Sequence, residues 1–586
     1  MIKSKKIDVI CVVVISLALV LSVVFCFGER LGITVVKSEE NSDSLFTAND
    51  LLSKWDESGA TKIVFSGRSD ANTDVTGVAD DTGEVPKCSA KVTGNGAYAN
   101  GSDVTIKYAG KYIVSGEASG SITVDAESDD KIWIMLDGIS LTAEGAPAID
   151  VEQAGKVFLT VKSGTENTLG SMGATTVDKF TTASAESLAD SAAPADNSNG
   201  FTDAPTPATN SSGSADGAIY SRDNLTINGT GKLTVKSSYK HGIVCNDKFV
   251  ITGGDISIIA IQDAIHIHDK FNFTQASLKI SAGDDAIHVG DSDNWSVINI
   301  VSGSINISDC YEGIEANEIN ISGGDIVIKS SDDGINANGG SSGFGGGMHG
   351  KPDGETPSMP GGEPPSKPDG EAPSMPGGEP PSKPDGEVPS MPDSMQASPS
   401  DRSGGEPPSK PDGKSDGDST SEPSGKTPSV NISGGNIRIL NENGRDADGI
   451  DSNGDITITG GYIFISLRGD GSNSAIDFAS ESNSKCTISG GSIIACGGSG
   501  MAEGFDEAST QGFIMQEVNG PAGSTFAVKD ASGTLLLSEI VPYEYTSVVA
   551  SAPGMSIGDN ITMMINSEAP TLTIDNKTAT LEGSRH

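Results

Sequence analysis

Positive charge is scarce in this 586-residue chain: Lys and Arg number 38 against 80 Asp and Glu, for a formal charge of −42. That argues against nucleic acid as a partner, because such binding draws largely on Lys and Arg at phosphates. It favours cations, or an ion that bridges to an anionic ligand, beside the plain solubility that acidity gives an exported protein. Aromatic residues are only 5% of the chain while Gly numbers 74, a composition of dense turns and few bulky core residues. No Cys-x-x-Cys pair occurs among the seven Cys. Cys11 and Cys26 lie in or beside an apolar run, and Cys88, Cys245, Cys310, Cys486 and Cys496 are an odd set without zinc or disulfide spacing. They read as small packed residues.

A small-residue cleavage site is absent after the N-terminal apolar run, where Val24-Phe-Cys-Phe-Gly28 follows Lys3, Lys5, Lys6 and the stretch 7–27. The run approaches the ~20 residues that span a bilayer, and basic residues ahead of it keep that end inside. Residues 1–30 are therefore a signal peptide or an uncleaved membrane anchor, and the remainder is expected outside the cell, at the bacterial surface or secreted. Residues 31–86 read as a polar tether, with a helical turn or two around 45–55.

What is present is repetition. Asp263-Ala-Ile-His266 returns as Asp285-Ala-Ile-His288, Glu312-Gly-Ile-Glu315, Asp333-Gly-Ile-Asn336 and Asp448-Gly-Ile-Asp451, and weakens to Ser474-Ala-Ile-Asp477. A second phrase, Ile-[Ser/Thr]-Gly-Gly-x-Ile, begins at Ile251, Ile321, Ile432, Ile458 and Ile488. The acidic starts at 263, 285, 312 and 333 are 22, 27 and 21 residues apart. A period of twenty-odd residues with short β-branched runs predicts an all-β chain built as a parallel β-solenoid. The solenoid is expected over 87–510, interrupted by low-complexity insertions at 170–213 and 339–428. The second contains Lys351-Pro-Asp-Gly-Glu and two further copies of the same Pro-rich unit, and is expected to be disordered. From 511 to 586 the pattern changes to antiparallel strands that could cap the open end.

Equivalent positions of successive coils stack about 4.8 Å apart, so the repeat builds columns. One holds His241, Asp263, Asp285, Glu312, Asp333 and Asp448; a second holds His266, His288, Glu315, Asn336 and Asp451; a third holds Asp284, Asp332 and Asp446. Two carboxylates about 5 Å apart repel by about 3 kcal/mol at an effective dielectric near 20. Clustered hard oxygens suit Ca²⁺ better than Mg²⁺, whereas a single Asp at a corner is ordinary turn chemistry. His266 and His288, one coil apart, could contact a ligand or a transition metal. Trp295 and Tyr311 are the aromatic candidates for stacking on a ligand. Basic residues near the columns are sparse, so an isolated catalytic base is not evident. A calcium-dependent polysaccharide lyase and a non-catalytic adhesin or rod both stay open beside a binding protein.

Tyr112-Ile-Val-Ser-Gly116, Ile132-Trp-Ile-Met-Leu-Asp-Gly-Ile139, Ala148-Ile149 and Gly164-Thr-Glu-Asn-Thr-Leu169, followed by the Asp-[Gly/Ala]-Ile coils, resemble the bacterial carbohydrate-binding-domain family typified by a clostridial cell-surface polysaccharide-binding protein. The likeness covers about 87–581 without the insertions. It implies a right-handed parallel β-helix similar to pectate lyases, bound calcium, and an anionic polysaccharide such as polygalacturonate, or cellulose, as partner, with no demonstrated catalysis. The calcium ligands it implies are Asp284, Asp285, Glu312, Glu315, Asp332, Asp333, Asp448 and Asp451.

Overall fold

The computed structural model describes residues 44–67, 88–173, 216–290, 294–338, 426–442, 447–469 and 473–575. The N-terminal apolar run, most of both low-complexity insertions and Asp446 lie outside them. Among the described residues the secondary structure is β, apart from one turn of 3-10 helix at Ser480–Ser482. The strands form long parallel ladders of the β-solenoid class.

Each central coil contributes three strands, and each strand pairs in parallel with its counterpart one coil away. The shortest ladder runs through His241–Cys245, Ile265–Ile267, Ile287–Val289, Ile314–Glu315, Ile335–Ala337 and Ile450–Ser452; we call it the short-strand face. A second ladder runs through Leu225–Gly229, Lys248–Ile251, Lys270–Phe273, Val297–Ile300, Glu318–Ile321, Ser429–Ile432 and Asp455–Ile458. The third includes Lys232–Ser237, Asp255–Ala260, Ser277–Ala282, Ser304–Asp309, Asp325–Lys329, Asn436–Asn441 and Tyr462–Leu467. Alternation decides which side chains turn inward. Ile265, Ile287, Ile314, Ile335 and Ile450 stack as one fully buried row, while the residue after each faces outward.

The Gly-Gly phrase makes the corner between the second and third ladders. Its second glycine takes a positive φ, +101° at Gly254 and +106° at Gly324, which a side chain rarely adopts. Its first lies against the coil before it: a Cβ on Gly253 would sit 2.3 Å from the Gly229 carbonyl oxygen. One glycine turns the chain and the other lets coils stack closely.

Ser429–Ile432 pairs in register with Glu318–Ile321 although the long insertion separates them in sequence, so the repeat resumes as if uninterrupted. The first insertion starts slightly later than expected, because Glu166–Met172 is still strand. At the C-terminal end, Tyr545–Ser551 pairs antiparallel with Ser492–Gly497 of the last coil and with Phe513–Gly520. A sheet of Ser524–Asp530, Leu535–Val541, Asn560–Ile565 and Thr571–Thr573 builds a second core around Phe464, Phe526 and Tyr545. Cys245, Cys310, Cys486 and Cys496 are buried free thiols, and Cys88 is half-buried.

Within residues 44–67 the expected tether is corrected, and the rest of it lies outside the described residues. Residues 44–57 form no helix and lie along the outer side of the second ladder. Asn272 Nδ2 donates to the Leu45 carbonyl at 2.7 Å, and Thr226 Oγ1 donates to Asp50 Oδ1 at 2.6 Å. Lys156 Nζ pairs with the fully buried Asp50 carboxylate at 2.7 Å, and Trp55 Nε1 donates to Thr160 Oγ1 at 3.1 Å. Thr61–Ser66 then joins the sheet beside Gly110–Ser119, burying Ile63 and Phe65. Beyond the strap, Asn272, Asn299, Asn320 and Asn431 continue the outer row as an amide ladder, each Nδ2 donating to the previous Oδ1 at 2.8 to 3.2 Å.

Candidate functional site

Parallel pairing brings the expected second column together in register. His266 lies opposite His288, His288 opposite Glu315, Glu315 opposite Asn336, and Asn336 opposite Asp451. The row faces outward from the short-strand face, since the isoleucines on either side point in.

The first column has a different job. Asp285 N–H donates to Asp263 Oδ1 at 3.1 Å, Glu312 N–H to Asp285 Oδ1 at 3.2 Å, Asp448 N–H to Asp333 Oδ1 at 2.7 Å, and Ser474 N–H to Asp448 Oδ1 at 2.5 Å. Each carboxylate thus satisfies a backbone donor one coil further on, at the corner where a turn leaves it without a ladder partner. Turn chemistry therefore accounts for one oxygen of these residues. The other oxygen remains for the face.

Charge along the face is compensated unevenly. Near its start, Asp263 Oδ2 lies 2.7 Å from His266 Nδ1 and 3.2 Å from His241 Nδ1. Burial would raise this carboxyl, but the hydrogen bonds to His241 and His266 outweigh it and hold the group far below the usual range. One coil on, His288 Nδ1 bonds Glu315 Oε2 and lies 3.4 Å from Asp285 Oδ2. Burial favours the neutral His288 ring, yet these two carboxylates carry it up to about 11, so the imidazolium is a built-in cation. Glu315 is lowered, because the His288 bond overcomes the effect of burial.

Past His288 no such cation follows among the described residues. Burial and the carboxylates of Glu315 and Asp285 push Glu312 up to about 9. Burial, with Asp448 and Asp451 beside it, raises Asp333 well above its ordinary value. Burial and Asp477 bring Asp451 to about 7. Asn336 stands in this stretch, only 6% exposed; its Nδ2 donates to Glu312 Oε2 at 3.0 Å, while its Oδ1 is buried and accepts nothing. A lone-pair oxygen without a donor, among carboxylates that repel one another, fits a hard cation.

Other expected contributors sit elsewhere. Trp295 lies past the end of the short strand Ile287–Val289, donates to Glu318 at 3.3 Å and has the Lys426 ammonium 5.2 Å above its ring, so that ring face is already covered. Tyr311 is 44% exposed at the corner before Glu312 and bonds Asp332. Asp284 joins Asp263 and Asp285 in a group whose ligand atoms all lie within 4.8 Å of one another. Asp477 and Glu503 were not anticipated. Asp477 follows Asp451 through the weakened Ser-Ala-Ile-Asp repeat, and Glu503 arrives from beyond the coils, where no repeat marks it.

A family model described as carbohydrate-binding domain-containing protein matches residues 100–191 and 191–318. A curated protein of the same description from Acetivibrio thermocellus is 30% identical over 159 residues, spanning 27% of this chain and 45% of that protein. This chain therefore spans less than half the length of that relative. A solved structure described as the polysaccharide lyase-like protein from C. thermocellum, in a gadolinium derivative, covers 47% of this chain and 85% of its own at 24% identity, with a TM-score of 0.32. Over residues 100–318 the chain thus matches the carbohydrate-binding domain-containing family, and the resemblance read from the sequence holds there.

Proposed function

We propose that this chain is an exported carbohydrate-binding protein, a right-handed parallel β-helix whose short-strand face holds calcium and, through it, an anionic polysaccharide of the polygalacturonate kind. The family match supports the carbohydrate part. The cation part is carried by one observation: Glu312, Asp333 and Asp451 stack around the orphaned Oδ1 of Asn336 with no compensating cation among the described residues. Calcium takes about six to eight oxygens at roughly 2.3–2.6 Å and tolerates irregular shells. Glu312, Asp332, Asp333, Asn336, Asp448 and Asp451 supply that donor type. A uronate carboxylate completes the shell, which links cation and sugar in a single event.

Co-sedimentation of the full chain with insoluble polygalacturonate tests this, with calcium, with chelator, and with cellulose as the neutral comparison. Retention that needs calcium and falls in Asp333→Asn/Asp451→Asn is expected. Equal retention with and without chelator would leave the face a structural feature and remove calcium from recognition. Ultraviolet absorbance of unsaturated uronates in the same tubes would signal a lyase instead.

A further inference from the structure

We propose that His241, Asp263 and His266 form a separate site for a borderline transition cation of the zinc class, on coils of the short-strand face that precede the hard-oxygen cluster. The donors are two imidazole Nδ1 atoms and one carboxylate oxygen, all within 4.8 Å of one another. Asp263 Oδ2 is 3.2 Å from His241 Nδ1 and 2.7 Å from His266 Nδ1. Ligands bound tetrahedrally to zinc at about 2.0–2.2 Å stand roughly 3.3 Å apart, so small outward shifts admit the ion.

Three further features suit the site to this chemistry. The Asp263 N–H donates to His241 Nδ1 at 3.2 Å, which places the lone pair of that ring on Nδ1 beside Asp263, and an ion bound there takes the place of this hydrogen bond. Asp263 Oδ1 accepts the Asp285 N–H at 3.1 Å. That second partner fixes the carboxylate so that Oδ2 faces the imidazoles, the usual outer-shell support of a metal ligand. The rings pack on one another, His266 stacked on His288 at 4.9 Å and His241 tilted against His266 at 4.7 Å between centroids. Side-chain exposure of 17% for His241, 7% for Asp263 and 26% for His266 leaves one side open for a fourth ligand, water or substrate. Two nitrogens and one oxygen select zinc-class ions over calcium, which prefers oxygen throughout. His288 does not join, because Glu315 and Asp285 engage it.

The inference is independent of the carbohydrate reading. It is tested on the chelator-stripped full chain with excess calcium present, by titrating Co²⁺ and then Zn²⁺. We expect visible d–d bands from a nitrogen-ligated, low-symmetry Co²⁺ site, erased by a single equivalent of Zn²⁺. His241→Ala and His266→Gln should lose the bands while melting near the wild-type temperature, and Asp333→Asn/Asp451→Asn should keep them. A wild-type chain that shows no bands would overturn the assignment without the need of any variant. So would bands that persist in the His241→Ala/His266→Gln double variant.

Discussion

The carboxylates past His288 make stability depend jointly on pH and calcium. Without a cation, burial and the neighbouring carboxylates hold Glu312 near 9, and burial with Asp477 holds Asp451 near 7. Both lie far above the unfolded values of about 4. A raised folded pKa gives stability that is complete below the unfolded pKa and is lost as pH rises through the folded one. The window runs from about 4.5 to 9 for Glu312 and from about 4 to 7 for Asp451. Inside its window each group removes up to about 1.4 kcal/mol per pH unit, so between pH 4.5 and 7 the pair removes up to about 3 kcal/mol per pH unit. His288, held up to about 11, acts in the same direction above its unfolded value of about 6.5. Calcium binds only the ionised carboxylates, so its effect grows with pH. At about a hundred times its Kd one site adds about 2.7 kcal/mol, roughly 3 °C in Tm for a body of this size. Calorimetric melts from pH 5 to 8.5, with calcium or with chelator, should show the chelated Tm falling with pH and the gap between the curves widening. Asp451→Asn should flatten the chelated curve. A gap of the same size at pH 5 and pH 8, or no gap, would refute the reasoning.

Other expectations concern the scaffold. Asp50→Ala leaves Lys156 without its buried partner and should cost about 3–5 kcal/mol in urea unfolding; an unchanged midpoint would mean that the strap is only laid on the surface. Gly334→Ala should cost about 1–3 kcal/mol by overpacking, because the new Cβ would meet Ile439 Cγ2 at 2.4 Å and the Gly449 oxygen at 2.7 Å, even though Ala264 and Ala286 fill the same repeat position. Wild-type melting in that variant would show that the coils can spread. Alkylation of the folded chain, mapped by mass spectrometry, should modify the half-buried Cys88 well before Cys245, Cys310, Cys486 and Cys496, whose thiols are buried and raised. Equal rates would contradict that packing.

The coils were legible because a parallel ladder demands the same side chain at the same place in every turn. One short phrase therefore predicted the register from His266 to Asp451 residue by residue. The strap was not legible, because its contacts are made once. Thr61-Lys-Ile-Val-Phe-Ser alternates as a strand should, yet a polar neighbourhood hid it, and nothing near Asp50 announces Lys156 or Thr226 as partners. The columns were legible as chemistry but not as division of labour. Only the geometry separates the carboxylate oxygen that holds the next coil from the one that faces outward, and only the pairings single out His288 as the internal cation.

The corner staircase gives the solenoid a direction. An aspartate on one coil already aims its oxygen at the N–H that the following coil must place there. A chain emerging N-terminus first from the ribosome therefore finds, at each addition, a finished template behind it and a marked docking point ahead. The strap inverts that order. It emerges earliest, but its last anchor, Asn272, exists only once several coils have formed. The first segment out is the last one fastened, and its arrival locks the coils it crosses.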